Sequence, residues 1–165
     1  MKVNRELEWE AITKVCGQLE ELAQYNELTP RNTVIAMVSP DYSATVAMHV
    51  AHHLSKDGEM LDIVPVDIPY PDEDPAHFQD DFIHFVSHKF DSYENVIIVE
   101  AGVISGKTFE FISADLQDKG LNVISVALFE NVHSVFWSDV VGFYYDWKKE
   151  PLEFYWEREN KHWNF

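Results

Sequence analysis

Four short apolar runs, each bounded by turn residues, constrain the fold of this chain more than any other feature. They are TVIAMV at 33–38, MLDIVPVDI at 60–68, NVIIVE at 95–100 and NVISVALF at 122–129. Runs of this length, rich in β-branched residues, suit buried strands. Helical spacing fills the intervals between them. Over 5–25, Trp9, Ile12, Cys16, Leu19, Leu22 and Ala23 recur as one buried helical stripe. TVAMHVAHHL at 45–54 reads as a second helix, entered through the turn SPDYSA and closed by SKDG, whose glycine suits a helix C-terminus. Residues 75–90, with Phe78, Phe82, Phe85 and Val86 inward, and residues 107–119 read as two more. PYPDEDP at 69–75 is too rich in proline for regular structure. Strands alternating with helices make an α/β domain with a mainly parallel sheet.

At 165 residues the chain suits one domain with a core of its own, 1–165. Its formal net charge of −17 is unusual, and nine acids with no Lys or Arg lie in residues 57–81. Such a chain repels phosphate backbones, so nonspecific nucleic-acid binding is excluded. The acidity leaves two readings, a solubilising surface or a face for a basic partner. Cys16 is the only cysteine and sits on the helical stripe, where a small core residue is expected and no disulfide or cysteine metal cluster can form. No run approaches the roughly 18 apolar residues of a membrane span, and the N-terminus is unlike a signal peptide. A cytoplasmic protein is expected.

The chemistry concentrates in VIIVEAGVISGKT, a strand that ends in Glu100 and opens into a Ser-Gly-Lys-Thr loop before a helix. In parallel α/β sheets ligands sit at the carboxyl ends of the strands. Backbone amides of Ser105, Gly106, Lys107 and Thr108 would point at the helix mouth, where the dipole favours an anion. Gly106 would let the backbone approach a phosphate closely. A triphosphate P-loop is excluded, because only three residues separate Gly102 from Gly106, and that motif needs four.

The stretch resembles the type I phosphoribosyltransferases, whose signature is an apolar strand, two acids and a Thr-Gly-containing phosphate loop. The resemblance implies that Ser105, Gly106, Lys107 and Thr108 hold a 5′-phosphate and that Glu100 holds ribose hydroxyls. LEWEAITKVCGQLEELA is similar to the opening helix of the small hypoxanthine/xanthine branch. TVIAMVSPDYSATVAMHVAHHL is similar to its first strand, pyrophosphate loop and helix, and YYDWKKEPLEFYWE to its terminal hood. The implied fold is a twisted parallel sheet flanked by helices. An aromatic hood would come from about 1–28 and 132–165, with Trp147 and Trp156 as candidates to stack on a base. Mg2+ would accompany a phosphoribosyl diphosphate ligand; no other cofactor is implied.

The chain departs from that family at four places. Ala101 stands where the second acid belongs. Ile104 replaces an aspartate thought to take the purine N7 proton, which an aliphatic side chain cannot transfer. Asp41, Tyr42 and Ser43 stand near the pyrophosphate loop, where the family carries a cation. Asn131 stands near the place of a lysine that recognises the purine oxygen. The phosphate-and-ribose half of the site persists while the leaving-group half is dismantled, and no residue is assigned as catalytic.

Two functions of different class are therefore expected. One is a purine-type phosphoribosyltransferase, or relative, that binds a nucleotide or phosphoribosyl ligand with weakened or altered chemistry. The other is a catalytically silent acidic homologue that serves as an interaction or inhibitor module, in its extreme form a nucleic-acid mimic. A homodimer and a basic protein partner are the macromolecular associations left open. His77, Asp81, His84 and His88 share a helical face but read as a polar surface and not a metal site; His49, His52 and His53 read as surface residues.

Overall fold

The computed structural model describes residues 1–38, 40–66 and 89–155, with backbone alone at 40–42. The elements are β1 (Lys2–Val3), α1 (Arg5–Tyr25), β2 (Thr33–Val38), α2 (Pro40–His53) and β3 (Asp62–Val66). They continue with β4 (Asn95–Val103), α3 (Lys107–Asp118), β5 (Asn122–Asn131), β6 (Val140–Tyr145) and β7 (Glu153–Phe154). Five strands form one sheet in the order β3-β2-β4-β5-β6, every pair parallel.

Both faces of that sheet are covered, which is why its strands read as continuous apolar runs. On one face, Val15 and Leu19 of α1 and Val46 and Val50 of α2 meet Ile97, Val99, Val126 and Leu128. On the other, Phe109, Ile112 and Leu116 of α3 meet Val96, Ile98 and Ala127. β4 lies at the centre of the sheet, so its carboxyl end opens between the layers. Among the described residues no helix is long and apolar enough to cross a membrane.

Three local expectations are corrected. The buried stripe of α1 runs through Glu8, Ala11, Ile12, Val15, Cys16 and Leu19, while Trp9 is 57% exposed and meets the His49 ring edge-on at 5.0 Å. A helix shows only one arc to the core, and Trp9 lies just beyond the Cys16 edge of it. PDYSA is helix and not a turn, since α2 already begins at Pro40, where a first-turn proline lacks only an amide the helix does not use. Gly58 ends no helix. With Asp57 it takes positive φ (55° and 83°) in a tight turn closed by paired hydrogen bonds between Lys56 and Glu59. Of the expected helix at 75–90, residues 75–88 lie outside the described residues, and Lys89 and Phe90 are not helical.

The aromatic tail is also more regular than its sequence suggests. VVGFYY forms β6, the edge strand of the main sheet, so residues 140–145 belong to the sheet and not to a separate hood. Because β6 is parallel to β5, residues 132–139 must return the chain from the end of one strand to the start of the next. This crossover is fastened at its far end, where Asp139 accepts the Ser125 amide at 2.8 Å and hydroxyl at 2.7 Å. The Ser138 amide donates to the buried Glu130 carboxylate at 3.0 Å. Beyond β6, β7 pairs with β1 in a two-stranded layer, and Phe154 packs edge-on against Phe129.

α1 is bound to the β6 edge, with Lys14 donating to the Gly142 carbonyl at 2.6 Å and Gln18 to that of Val141 at 3.2 Å. Such close approach requires glycine at 142, where a Cβ would stand 2.5 Å from the Leu128 carbonyl oxygen and 3.1 Å from the Ala11 Cβ. Gly142→Ala should therefore lower unfolding free energy by about 1–3 kcal/mol, read from the urea midpoint. An unchanged midpoint would contradict this packing.

Candidate functional site

The strand-to-helix turn after β4 is built almost entirely by its neighbours. Three successive carbonyls are taken by donors from three places. Tyr145 Oη on β6 donates to Val103 O at 3.2 Å, Asn131 Nδ2 on β5 to Ile104 O at 2.8 Å, and the Val135 amide on the crossover to Ser105 O at 2.9 Å. In a trans peptide the N–H points opposite to its C=O. The amides of Ile104, Ser105 and Gly106 are thus turned away from β5, β6 and the crossover. The Lys107 amide makes a long 3.4 Å contact with Ser105 Oγ.

Gly106 caps α3 with φ of 77°. A Cβ there would lie 2.1 Å from Ser134 Oγ and 2.9 Å from the Phe136 amide nitrogen. The close approach that demands glycine is therefore to the crossover, which differs from the expectation that it serves a ligand. Ile104, Ser105 and Lys107 are exposed, Thr108 is half-buried and Gly106 is buried. The four expected phosphate residues stand together at the start of α3, where the helix dipole favours an anion.

Glu100 lies three residues before the end of β4 and is only partly exposed. Burial pushes its carboxyl up to about 8, so at neutral pH it carries a proton and can donate as well as accept. The same burial, with the Glu100 charge second, holds the Tyr145 phenol above its ordinary value.

Ala101 is fully buried on the α1–α2 side of the sheet, and its amide donates to the buried Ser43 hydroxyl at 3.1 Å. A second acid at this position would place a carboxylate in apolar core, a costly burial without a partner. Ser43 thus serves β4, and the segment expected to hold pyrophosphate is the first turn of α2.

Asn131 is not available to read a base. Besides its bond to Ile104, its Oδ1 accepts the amides of His133 at 3.3 Å and Trp147 at 3.2 Å. Trp147 is 38% exposed, with its ring edge-on to Tyr145 at 6.4 Å. Trp156 lies outside the described residues, as do the side chains of Asp41 and Tyr42 and the cluster His77, Asp81, His84 and His88. Among the described residues no three of His, Cys, Asp and Glu converge. His133 and Lys149 approach Asp146 at 3.3 and 3.1 Å, and the ammonium of Lys149 chiefly holds that carboxylate below its usual range. A surface cleft of about 650 Å³ beside Glu20, Glu27, His53 and Lys56 lies at the C-terminal ends of α1 and α2, away from the loop.

No family model and no curated protein matches the sequence. Solved structures do match. A purine phosphoribosyltransferase from Pyrococcus horikoshii Ot3 superposes with a TM-score of 0.63 at 15% identity, over 94% of this chain and 92% of that one. The fold is that of the purine phosphoribosyltransferases. The Helicobacter pylori xanthine-guanine-hypoxanthine phosphoribosyltransferase gives 0.58 at 15% identity, covering 90% and 88% of the two chains. An HGPRT-ase from Leishmania tarentolae in complex with GMP gives 0.61 at 15%, covering 87% and 80%. These likenesses extend the resemblance of the phosphate loop to nearly the whole chain, at the level of fold.

The raised Glu100 has a consequence for stability. The folded state keeps this proton up to about pH 8, whereas the unfolded chain releases it near 4.5. Stability should fall as pH rises between those values, by a few kcal/mol at most, at about 1.4 kcal/mol per pKa unit. Glu100→Gln should remove that slope, so that its urea midpoint gains on the wild type from pH 5 to pH 8. Parallel pH profiles for the two proteins would contradict the burial of this carboxyl.

Proposed function

We propose that the protein binds a 5-phosphoribosyl ligand, a purine nucleotide or phosphoribosyl diphosphate, with much weakened transfer chemistry. The observation that carries this reading is the fastening of carbonyls 103–105 from behind, at the carboxyl end of the central strand. A loop so held presents its amides to an anion without reorganising. The phosphate would rest on Ser105, Gly106, Lys107 and Thr108, and Glu100, protonated at neutral pH, would donate to or accept from a ribose hydroxyl. Trp147, one of the two stacking candidates, would offer its partly exposed ring to the base. The Leishmania structure's GMP supports the choice of nucleotide as ligand class.

The chemistry beyond binding has little support among these residues. Ile104 offers no proton, and the place of the second acid is filled by core. A Mg2+ ion would supply charge neutralisation for a diphosphate leaving group. Glu100 alone, with its proton on, is a poor donor set for such an ion, so the diphosphate would have to carry it. The second reading, a silent homologue that binds a protein, draws on the exposed Trp137 of the crossover and Tyr144 of β6, whose rings lie 6.0 Å apart.

Calorimetry with inosine 5′-monophosphate tests the binding. The wild type should bind at millimolar affinity or better, and Ser105→Asp, which sets a carboxylate on the exposed loop, should weaken it at least about tenfold. Gly106 is a poor choice for this test because any side chain there strikes the crossover. Equal affinity for both proteins would place the site elsewhere.

A second measurement bears on catalysis. Transfer of ribose phosphate to hypoxanthine, guanine or xanthine should run about 10²–10⁴ below an ordinary turnover. A rate near the usual median of roughly 10 per second would overturn the weakened-chemistry half of the reading.

A further inference from the structure

We propose that Asn131 is a positioning residue that holds the phosphate loop and the Trp147 segment in one geometry, so that phosphate and base are gripped as a unit. The inference rests on the phosphoribosyl reading of the site. It arises from a single amide whose hydrogen-bonding groups reach separate parts of that site. Nδ2 donates forward to Ile104 O at 2.8 Å, while Oδ1 accepts the Trp147 and His133 amides at 3.2 and 3.3 Å. The side chain is 6% exposed and ends the strand β5, so its orientation is set by the sheet.

The loop has little else to fix its tip. Ile104 is 44% exposed and belongs to neither of the two core clusters. Of the other two fastenings, the Tyr145 bond is longer, at 3.2 Å, and the Val135 bond holds the next residue along. Without Asn131 the carbonyl of Ile104 would be free to turn, and with it the amide of Ser105, which shares its peptide plane. A ligand would then have to order the loop as it bound, and its affinity would fall by that ordering. The primary amide supplies both a donor and an acceptor here. An aspartate would keep acceptance from Trp147 and His133 and lose donation to Ile104; a leucine would lose both.

The test compares Asn131→Asp and Asn131→Leu with the wild type, using inosine 5′-monophosphate and inosine as probes. Two readouts are taken, calorimetric affinity and amide hydrogen exchange of the ligand-free loop. Asn131→Asp should bind the monophosphate at least about tenfold more weakly. It should bind inosine as the wild type does and exchange its Ile104–Gly106 amides faster. Asn131→Leu should weaken both probes. If the leucine variant does not fold, the aspartate variant decides the matter. Its exchange rates separate a loosened loop from simple charge repulsion, because unchanged exchange with weakened monophosphate binding would overturn the inference. Wild-type affinity for the monophosphate in Asn131→Asp would overturn the inference and leave the phosphoribosyl reading intact. A wild type that prefers the monophosphate no more than inosine would overturn both.

Discussion

Because β6 runs parallel to β5, the chain must travel back along the sheet between them, and the crossover at 132–139 that does so lies against the start of α3. Much of the candidate site follows from this placement. Ser134 and Phe136 occupy the space beside Gly106, Val135 takes the Ser105 carbonyl, and Phe136 meets Phe109 edge-on at 6.0 Å. Asp139 and Glu130 secure the rest of the segment to β5. A parallel sheet thus supplies more than the open ends of its strands. Its connecting segment supplies the backing that holds the candidate loop in shape, and loops that need no ordering bind with less loss of entropy.

The same architecture bears on the weakened transfer chemistry proposed for the site. The two positions that would carry adjacent acids face different surroundings, with Glu100 at the partly open end of the strand and Ala101 in apolar core tied to Ser43. Glu100 itself is desolvated enough to hold its proton at neutral pH. A neutral carboxyl can hydrogen-bond a sugar hydroxyl but gives little electrostatic help to a cationic transition state. Binding and catalysis make different demands on these residues, and under the proposed reading they would serve the first better than the second.

The sheet and its first helix were legible in the sequence because their signals are local. Apolar runs at 33–38, 95–100 and 122–129 are strands with both faces covered, and helical spacing over 5–25 matches α1. Where local signals pointed the wrong way, tertiary contact decided. Trp9 fits a helical stripe by spacing, yet the core meets the neighbouring arc through Glu8, whose carboxyl is hydrogen-bonded to Tyr155. VVGFYY was hidden among other aromatics, and only its pairing with β5 distinguishes it as a strand. At the site, the Ser-Gly-Lys-Thr turn could be read from residue types. The donors that shape it could not. Asn131, Ser134 and Tyr145 lie far along the chain from the loop, and no spacing rule connects them to it. Asn131 stood out in the sequence only as a departure near the place of a base-recognising lysine, whereas its hydrogen bonds commit it to the scaffold.

The account stands most directly on where a phosphate binds, and a crystal structure of the protein soaked with inosine 5′-monophosphate measures that. The phosphate should lie within hydrogen-bond distance of the Ser105–Thr108 amides, with the ribose at Glu100 and the bonds to the carbonyls of residues 103–105 unbroken. A phosphate seated elsewhere, or a loop that had let go of Asn131 and Val135 to reach it, would contradict the account.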